Sequence, residues 1–530
     1  MRTIRIYVAD RGETLIRIAE KMCVDLLELT SLNPHVPNPH QEAAGIPIYL
    51  PLIVQNRNLR IPISNAPWIP TISPETMSEF EYDVIIVGTG AGGGAALWRL
   101  CQQWANNGKK IGVVEAGDLL IPTNMHNIAT LEGKRLEQYY IDNSFPVADT
   151  DFREVIALGG RMLTWSALAP RMYTNTDYGW PIPEQEMERY YNIAEQTMRV
   201  TSEFYNDSPL NKLFLDQLWG NHYTHAINAP MAVDLRKSED AIIHSNVYFS
   251  SIEFLAEAMN YRPFDLCLKT RAVKVLTDNT RVTGVRVMSL NKQTFDLKTK
   301  CLVLSANTFE TPRLLLYSGI PGRAIGHYLT DHTAALTNTR LEPQDKRGFS
   351  GAVGILIPQV SGKPYQVQIE YPFQETFHSL QNLIKAPFEL MIIGVSMVQP
   401  RFENRITLDP QKKDAFGLPE VKVHYSYTER DWANLDETEK TVKELTALFN
   451  VPVIFTDRNK VPFIGHHASS TCRMGDDPST SAVNRYGQIH GISGLYVADN
   501  SVIPILGAAN PTLTTVALSI RTADYIAGQL

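Results

Sequence analysis

Residues 81–118, EYDVIIVGTGAGGGAALWRLCQQWANNGKKIGVVEAGD, constrain the fold more than any other stretch. Val84 to Val87 is a short unbroken apolar run, the pattern of a parallel strand buried on both faces. Gly88, Gly90 and Gly93 follow as G-x-G-x-x-G where the strand turns into a helix. The first glycine permits a tight turn, the second lets a pyrophosphate reach the backbone, and the third allows close helix–strand packing. The helix N-terminus adds free N–H donors and positive partial charge. A second strand, Ile111 to Val114, runs into Glu115, 22 residues beyond Gly93. An acid at that spacing accepts hydrogen bonds from ribose hydroxyls. The segment therefore predicts a dinucleotide cradle.

The glycine pattern alone leaves nicotinamide and flavin dinucleotides open. A contiguous second βαβ unit would favour the former. Instead the cofactor-like segments recur far apart: a hairpin-like pair at 270–287 around Asp278-Asn279, a strand–turn–helix at 301–320, and a last strand at 494–504 ending in Asp499. Such dispersal predicts an α/β flavin domain interleaved with a second domain. Residues 341–466 hold alternating stretches (GILIPQV, YQVQIEY, LMIIGVSMV, NRITLDP) that read as a mainly antiparallel sheet, with an amphipathic helix within 180–198 near its entrance.

At 530 residues the chain exceeds one ordinary domain. A formal net charge of −7 gives no basic footprint for nucleic acid. Five scattered cysteines show no metal-ligand spacing, so no metal is expected. No run approaches the roughly 18 apolar residues of a membrane span. With no apolar leader at the N-terminus, a cytoplasmic location is the expectation.

Residues 1–51 read as a separate β-α-α-β miniature, with Thr14 as helix cap, Leu15, Ile18, Ala19 and Met22 at helical spacing, then Leu26, Leu27 and Leu29. The Gly12-Glu13-Thr14-Leu15 opening, the Asn33-Pro34 stop and the closing strand ending at Pro51 resemble a LysM domain. Glu13 replaces the usual Asp, and PHVPNPHQEAAG is an insertion. The resemblance implies binding of an N-acetylglucosamine-type glycan. Proline-rich residues 52–80 read as an extended linker.

From about residue 81 onward the chain resembles the glucose–methanol–choline (GMC) oxidoreductases. Five blocks carry the resemblance in order: the glycine turn with Glu115, LGGRMLTWSALAPRM (158–172), ANTFETPRLLLYSGI (306–320), HHASSTCRMGDDP (466–478), and the segment from Gly494 to Ala527. It implies an FAD-binding domain over 81–175, 235–340 and 467–530, and a substrate domain over 176–234 and 341–466. Gly159, Gly160 and Trp165 are closest to the sugar-oxidising pyranose oxidase branch. Many members of that branch link flavin through a histidine at the position of Thr164, so non-covalent FAD is implied here. Asn307 and Pro321 depart from the family signature, which usually has a small residue and a glycine there.

The family's catalytic histidine lies three residues before a small-residue–Thr pair, which selects His467 over His466. A neutral imidazole is suited to take a hydroxyl proton at neutral pH. Because adjacent side chains in an extended segment face opposite ways, His466 should turn into packing or a backbone hydrogen bond. Asn510 is implied as the partner of the histidine. It also reads as an N-cap, with Pro511 in the first helical position and Thr512 offering amides toward the flavin. Asp499 is implied near the ribityl–phosphate region, and Val273 as a backbone contact to adenine. His332 reads as structural. The implied activity is oxidation of an alcohol on a sugar-like or other polyhydroxy substrate. Alternatives are a hydroxynitrile-lyase-like activity on the same scaffold, or a glycan-binding protein dominated by residues 1–51.

Overall fold

A computed structural model describes residues 5–22, 24–50, 69–128, 144–146, 153–174, 179–235, 248–341, 352–371, 388–450, 453–458 and 465–530. The chain forms two compact units, Met1–Ile69 with Asp234–Val247, and Pro70–Val233 with Tyr248–Leu530.

In the first unit β1 (Arg5–Val8) pairs antiparallel with β2 (Pro47–Leu50), and α1 (Leu15–Met22) and α2 (Leu26–Leu32) lie between them in sequence. The Thr14 hydroxyl accepts from the Arg17 N–H, the cap expected of it. Leu15, Ile18, Ala19 and Leu29 form one core with Tyr7, Ile48 and Leu50, whereas Leu27 is 81% exposed. The helical spacing of Leu26, Leu27 and Leu29 thus buries only the last of them fully.

Residues 51–68, most of the expected linker, lie outside the described residues. Its end is not extended. Ser73 caps a short helix, α3 (Pro74–Ser78), whose Met77 is fully buried, so this stretch belongs to the second unit.

The second unit is organised by two sheets. In chain order its principal elements are β3 (Glu81–Val87), α4 (Ala91–Gln103), β4 (Ile111–Val114), α5 (Glu184–Met198), α6 (Pro209–Gly220), α7 (Ser251–Tyr261), β5 (Asp265–Cys267), β6 (Thr270–Thr277), β7 (Val282–Ser289), β8 (Thr294–Leu304), α8 (Asn307–Tyr317), β9 (His332–Leu341), β10 (Val353–Ile357), β11 (Tyr365–Tyr371), β12 (Phe388–Met397), β13 (Arg405–Lys413), β14 (Pro419–His424), α9 (Glu429–Leu448), β15 (Val453–Arg458), β16 (Leu495–Val497) and α10 (Thr512–Gln529).

The first sheet has the order β5-β4-β3-β8-β7-β6, with β16 also on β8. Strands β5, β4, β3, β8 and β16 run parallel, and β6–β7–β8 form an antiparallel meander. Val84 to Val87 pair with Ile111 to Val114 on one side and with Cys301 to Leu304 on the other. That double pairing explains why the run is apolar throughout. The second sheet, β15-β9-β12-β11-β10 with Ile227–Asn228 at its edge, is antiparallel in every pairing. Its Val367, Ile369, Ile392 and Val353 form a core with Phe214 of α6 and with Leu435 and Val442 of α9. By strand alternation Gln366 and Gln368 occupy the opposite face.

This is the expected α/β sheet with a separate antiparallel sheet, with two corrections. Strand β9 belongs to the second sheet, so the sheets change over near residue 332 rather than 340. NRITLDP is not part of that sheet: β13 pairs with β14, and Ile406 packs with Phe309 of α8. Helix α5, the amphipathic helix expected within 180–198, packs against the C-terminal helix, with Tyr191 Oη 2.8 Å from Thr514 Oγ1 and Arg521 donating to Glu186.

Candidate active site

The turn after β3 shows why glycine is needed there. Gly88 has φ 95°, and a Cβ on it would lie 2.3 Å from the Ser305 carbonyl oxygen. A Cβ on Gly93 would lie 1.9 Å from the Gly88 carbonyl oxygen, so α4 rests directly on the turn. Gly90, the N-cap of α4, is different: no heavy atom lies within 4 Å of its would-be Cβ. It borders a cavity of about 670 Å³.

Glu115, at the end of β4, is buried. Its Oε2 accepts from the Thr89 hydroxyl (2.6 Å) and the Thr89 N–H (3.0 Å), and its Oε1 from the Gly117 N–H (2.8 Å). Burial pushes this carboxyl up, and those donors pull it back. Oε1 keeps acceptor capacity toward the cavity it lines. Thr89 was not singled out in the sequence. Its hydroxyl also accepts from the Gly159 N–H (2.9 Å), so it ties the glycine turn, Glu115 and the Gly159-Gly160 turn together.

The cavity runs from this turn to His467 and Asn510. Gly88, Gly90, Glu115, Gly160, Asp499, Pro511 and Thr512 line it as well. Gly93, Gly159 and Val273 do not. Gly93 and Gly159 shape the turns behind the wall, and Val273 lies at the bulge of β6, where Arg271 and Ala272 face the cavity instead. Asp499 is internally satisfied: it accepts from Ser501, from the Thr311 hydroxyl and from the Asn307 N–H. Asn307 has φ 82°, a left-handed conformation that Asn tolerates.

At the far end, Asp331 organises the histidine segment. Its carboxylate accepts from the backbone N–H groups of His332 (2.8 Å), His467 (3.1 Å) and Gly465. Burial pushes Asp331 up to about 6. His467 Nδ1 lies 2.9 Å from His332 Nδ1, and His332 Nε2 lies 2.7 Å from the Gly507 carbonyl oxygen. His467 Nε2 lies 3.5 Å from Asn510 Nδ2, at the outer limit of hydrogen bonding. Asn510 Oδ1 accepts from Gln366 (2.9 Å) and Gln368 (2.8 Å). Burial, then His332, His466 and Arg161, holds His467 well below the usual imidazole range; burial pushes His332 down to about 4. A half-buried neutral imidazole beside an amide is equipped to accept a proton from a hydroxyl.

His466 borders the same cavity as His467, because residues 466–467 form a turn rather than a strand. Two expectations change here, for Asn510 and His332. Asn510 does not cap α10. Pro511 occupies the N-cap, its carbonyl accepting from the Thr515 N–H, while the Asn510 side chain bonds to β11. His332 is not a remote structural residue but touches His467 directly.

Among the described residues no group of three or more His, Cys, Asp or Glu could hold a metal ion. No described helix is long and apolar enough to cross a membrane.

Two family models described as GMC oxidoreductase match residues 175–334 and 400–519, together just over half of the chain. Similar proteins include a C-glycoside 3-oxidase of Arthrobacter globiformis, 28% identical, covering 74% of this chain and 78% of that protein. A 2-methyl-1,2-propanediol dehydrogenase of Mycolicibacterium austroafricanum is 24% identical over 85% of this chain and 96% of its own length. A pyranose 2-oxidase of Tricholoma matsutake is 22% identical over 70% and 73%. Neither family match reaches residues 1–69.

Proposed function

Because the chain belongs to the GMC oxidoreductase family, which acts on CH–OH groups and implies FAD, we propose that it oxidises a ring hydroxyl of a sugar or glycoside. One observation carries the chemistry: His467 Nε2 and Asn510 Nδ2 stand together at the end of a cavity that begins at the glycine turn.

The residues fit FAD. Gly90 leaves the floor at the N-terminus of α4 bare, where the first N–H groups of the helix suit a pyrophosphate. Glu115 is placed for ribose hydroxyls, and Thr512 offers the opening of α10 to the ring. Thr164 borders the cavity and has no imidazole to form a covalent link, so the cofactor is held non-covalently. FAD, when bound, supplies the hydride acceptor. His467 takes the hydroxyl proton at Nε2. Asn510, its Oδ1 committed to Gln366 and Gln368, directs its N–H toward the substrate oxygen and holds it against His467. The two names that support a sugar are those of the C-glycoside 3-oxidase and the pyranose 2-oxidase.

The test is anaerobic mixing of holoprotein with monosaccharides, C- and O-glycosides, polyols and simple diols, following the flavin band. Bleaching by sugars or glycosides is expected; bleaching by small diols alone would overturn the sugar assignment. For residues 1–50, the antiparallel β1–β2 pair with two helices supports the LysM-like reading and an N-acetylglucosamine-type ligand. Absence of chitooligosaccharide binding by the full chain would remove it.

A further inference from the structure

We infer that one backbone carbonyl, that of Gly507, acts through His332 to set the tautomer of His467 and the amide orientation of Asn510. His332 is then a positioning residue for the oxidation, and in that respect the inference rests on the proposed function.

A carbonyl oxygen only accepts. The Gly507 oxygen, 2.7 Å from His332 Nε2, therefore requires the His332 proton on Nε2. In a neutral ring that leaves Nδ1 as an acceptor. The rings meet edge to face, with centroids 5.0 Å apart and planes at 78°, so their 2.9 Å Nδ1–Nδ1 approach is a hydrogen bond and not a stack. Two nitrogens at that distance share one proton, and it sits on His467 Nδ1. The remaining lone pair of His467 is then at Nε2, on the cavity side, where a base is needed.

Asn510 agrees from the other direction. With Nε2 unprotonated, the amide must present Nδ2, which leaves Oδ1 to accept from Gln366 and Gln368. Burial depresses both imidazoles, which keeps the pair neutral. Asp331 does not substitute for His332, because its carboxylate bonds backbone N–H groups of this segment and neither ring. The chain of bonds also ends on a carbonyl. A proton accepted at Nε2 has no path to water through His332, which is 2% exposed, and leaves by the cavity side.

The test uses the holoenzyme with His332→Leu and His332→Gln. Glutamine can donate to the Gly507 carbonyl and accept from His467 Nδ1–H; leucine can do neither. At saturating substrate, flavin reduction in the Leu variant should fall about tenfold or more, as expected when a catalytic imidazole loses its orienting partner. Half-saturation should change little, and the Gln variant should recover most of the rate. Independently, 15N NMR of histidine-labelled protein without substrate, with His467 assigned by its loss in His467→Asn, should show Nδ1–H in the wild type. A wild-type His467 protonated at Nε2 would overturn the inference, as would a Leu variant at full rate or equal loss in Leu and Gln. If the Leu variant fails to hold flavin, the wild-type spectrum decides alone. That spectrum does not depend on which alcohol reduces the flavin, so failure of the sugar assignment and failure of this inference are distinguishable.

Discussion

Adding one methyl group at Gly90 or at Gly93 should produce opposite defects. At Gly93 the new carbon would lie 1.9 Å from the Gly88 carbonyl oxygen, 2.9 Å from its carbon and 3.2 Å from Ser305 Cβ. An ordinary contact needs about 3.5 Å, and the two nearest obstacles are backbone atoms of Gly88, so α4 must lift off the turn. Overpacking of this kind costs about 1–3 kcal/mol. At about 2–4 °C per kcal/mol for a domain of moderate size, melting of the flavin-free protein should fall by about 2–12 °C. At Gly90 nothing lies within 4 Å and the backbone is not left-handed (φ −65°). Alanine there loses a little as an N-cap and gains a similar amount from a stiffer unfolded chain, so melting should hardly move. Its methyl instead projects into the cavity floor, and FAD affinity should weaken at least about tenfold, or about 1.4 kcal/mol. Thermal melting of flavin-free Gly90→Ala and Gly93→Ala, with FAD titration followed by fluorescence quenching, separates the two effects. Equal melting losses, or a Gly90→Ala variant with wild-type FAD affinity, would refute the reasoning.

Burial pushes the Glu154 carboxyl up to about 7, even with Arg161 3.9 Å away. The native state then holds a proton that the unfolded chain releases, so stability should fall as pH rises from about 4.5 to about 7, by at most about 3 kcal/mol. Glu154→Gln should flatten that part of the profile; denaturant midpoints of the flavin-free proteins across pH should reveal the difference, and parallel profiles would contradict it. Acid precipitation should release all flavin into the supernatant, and colour left in the pellet would contradict a non-covalent site. Thr89→Val removes the hydroxyl shared by Glu115 and Gly159 and should cost about 1–3 kcal/mol, measured by the same denaturant midpoints.

What could be read from the sequence was what is local. The apolar run at Val84, the glycines and the acid at 115 act within one βαβ unit, and each lies where that spacing puts it. His467 was accessible through a motif only a few residues long. The contacts that complete the site are not local. His332 meets His467 across 135 residues, Gln366 meets Asn510 across 144, and Thr89 meets Gly159 across 70. No periodicity or cap rule carries such pairings, because the tertiary fold sets them. Gln366 and Gln368 alternate with the apolar core residues of their strand, and both donate to Asn510. The misreadings share one cause. Asn510 before a proline fitted a helix start, and His466 beside His467 fitted an extended segment, yet tertiary bonds displaced both local preferences.

The most direct measurement is anaerobic stopped-flow reduction of bound flavin by a substrate that bleaches the wild type, comparing it with His467→Ala and His466→Ala. With flavin content matched, the rate in His467→Ala should fall by about 10²–10⁴, the usual contribution of a general base. His466→Ala, which leaves the proton-accepting imidazole of His467 in place, should stay within about tenfold of the wild type. Similar rates for His467→Ala and the wild type would show that the proton is taken elsewhere.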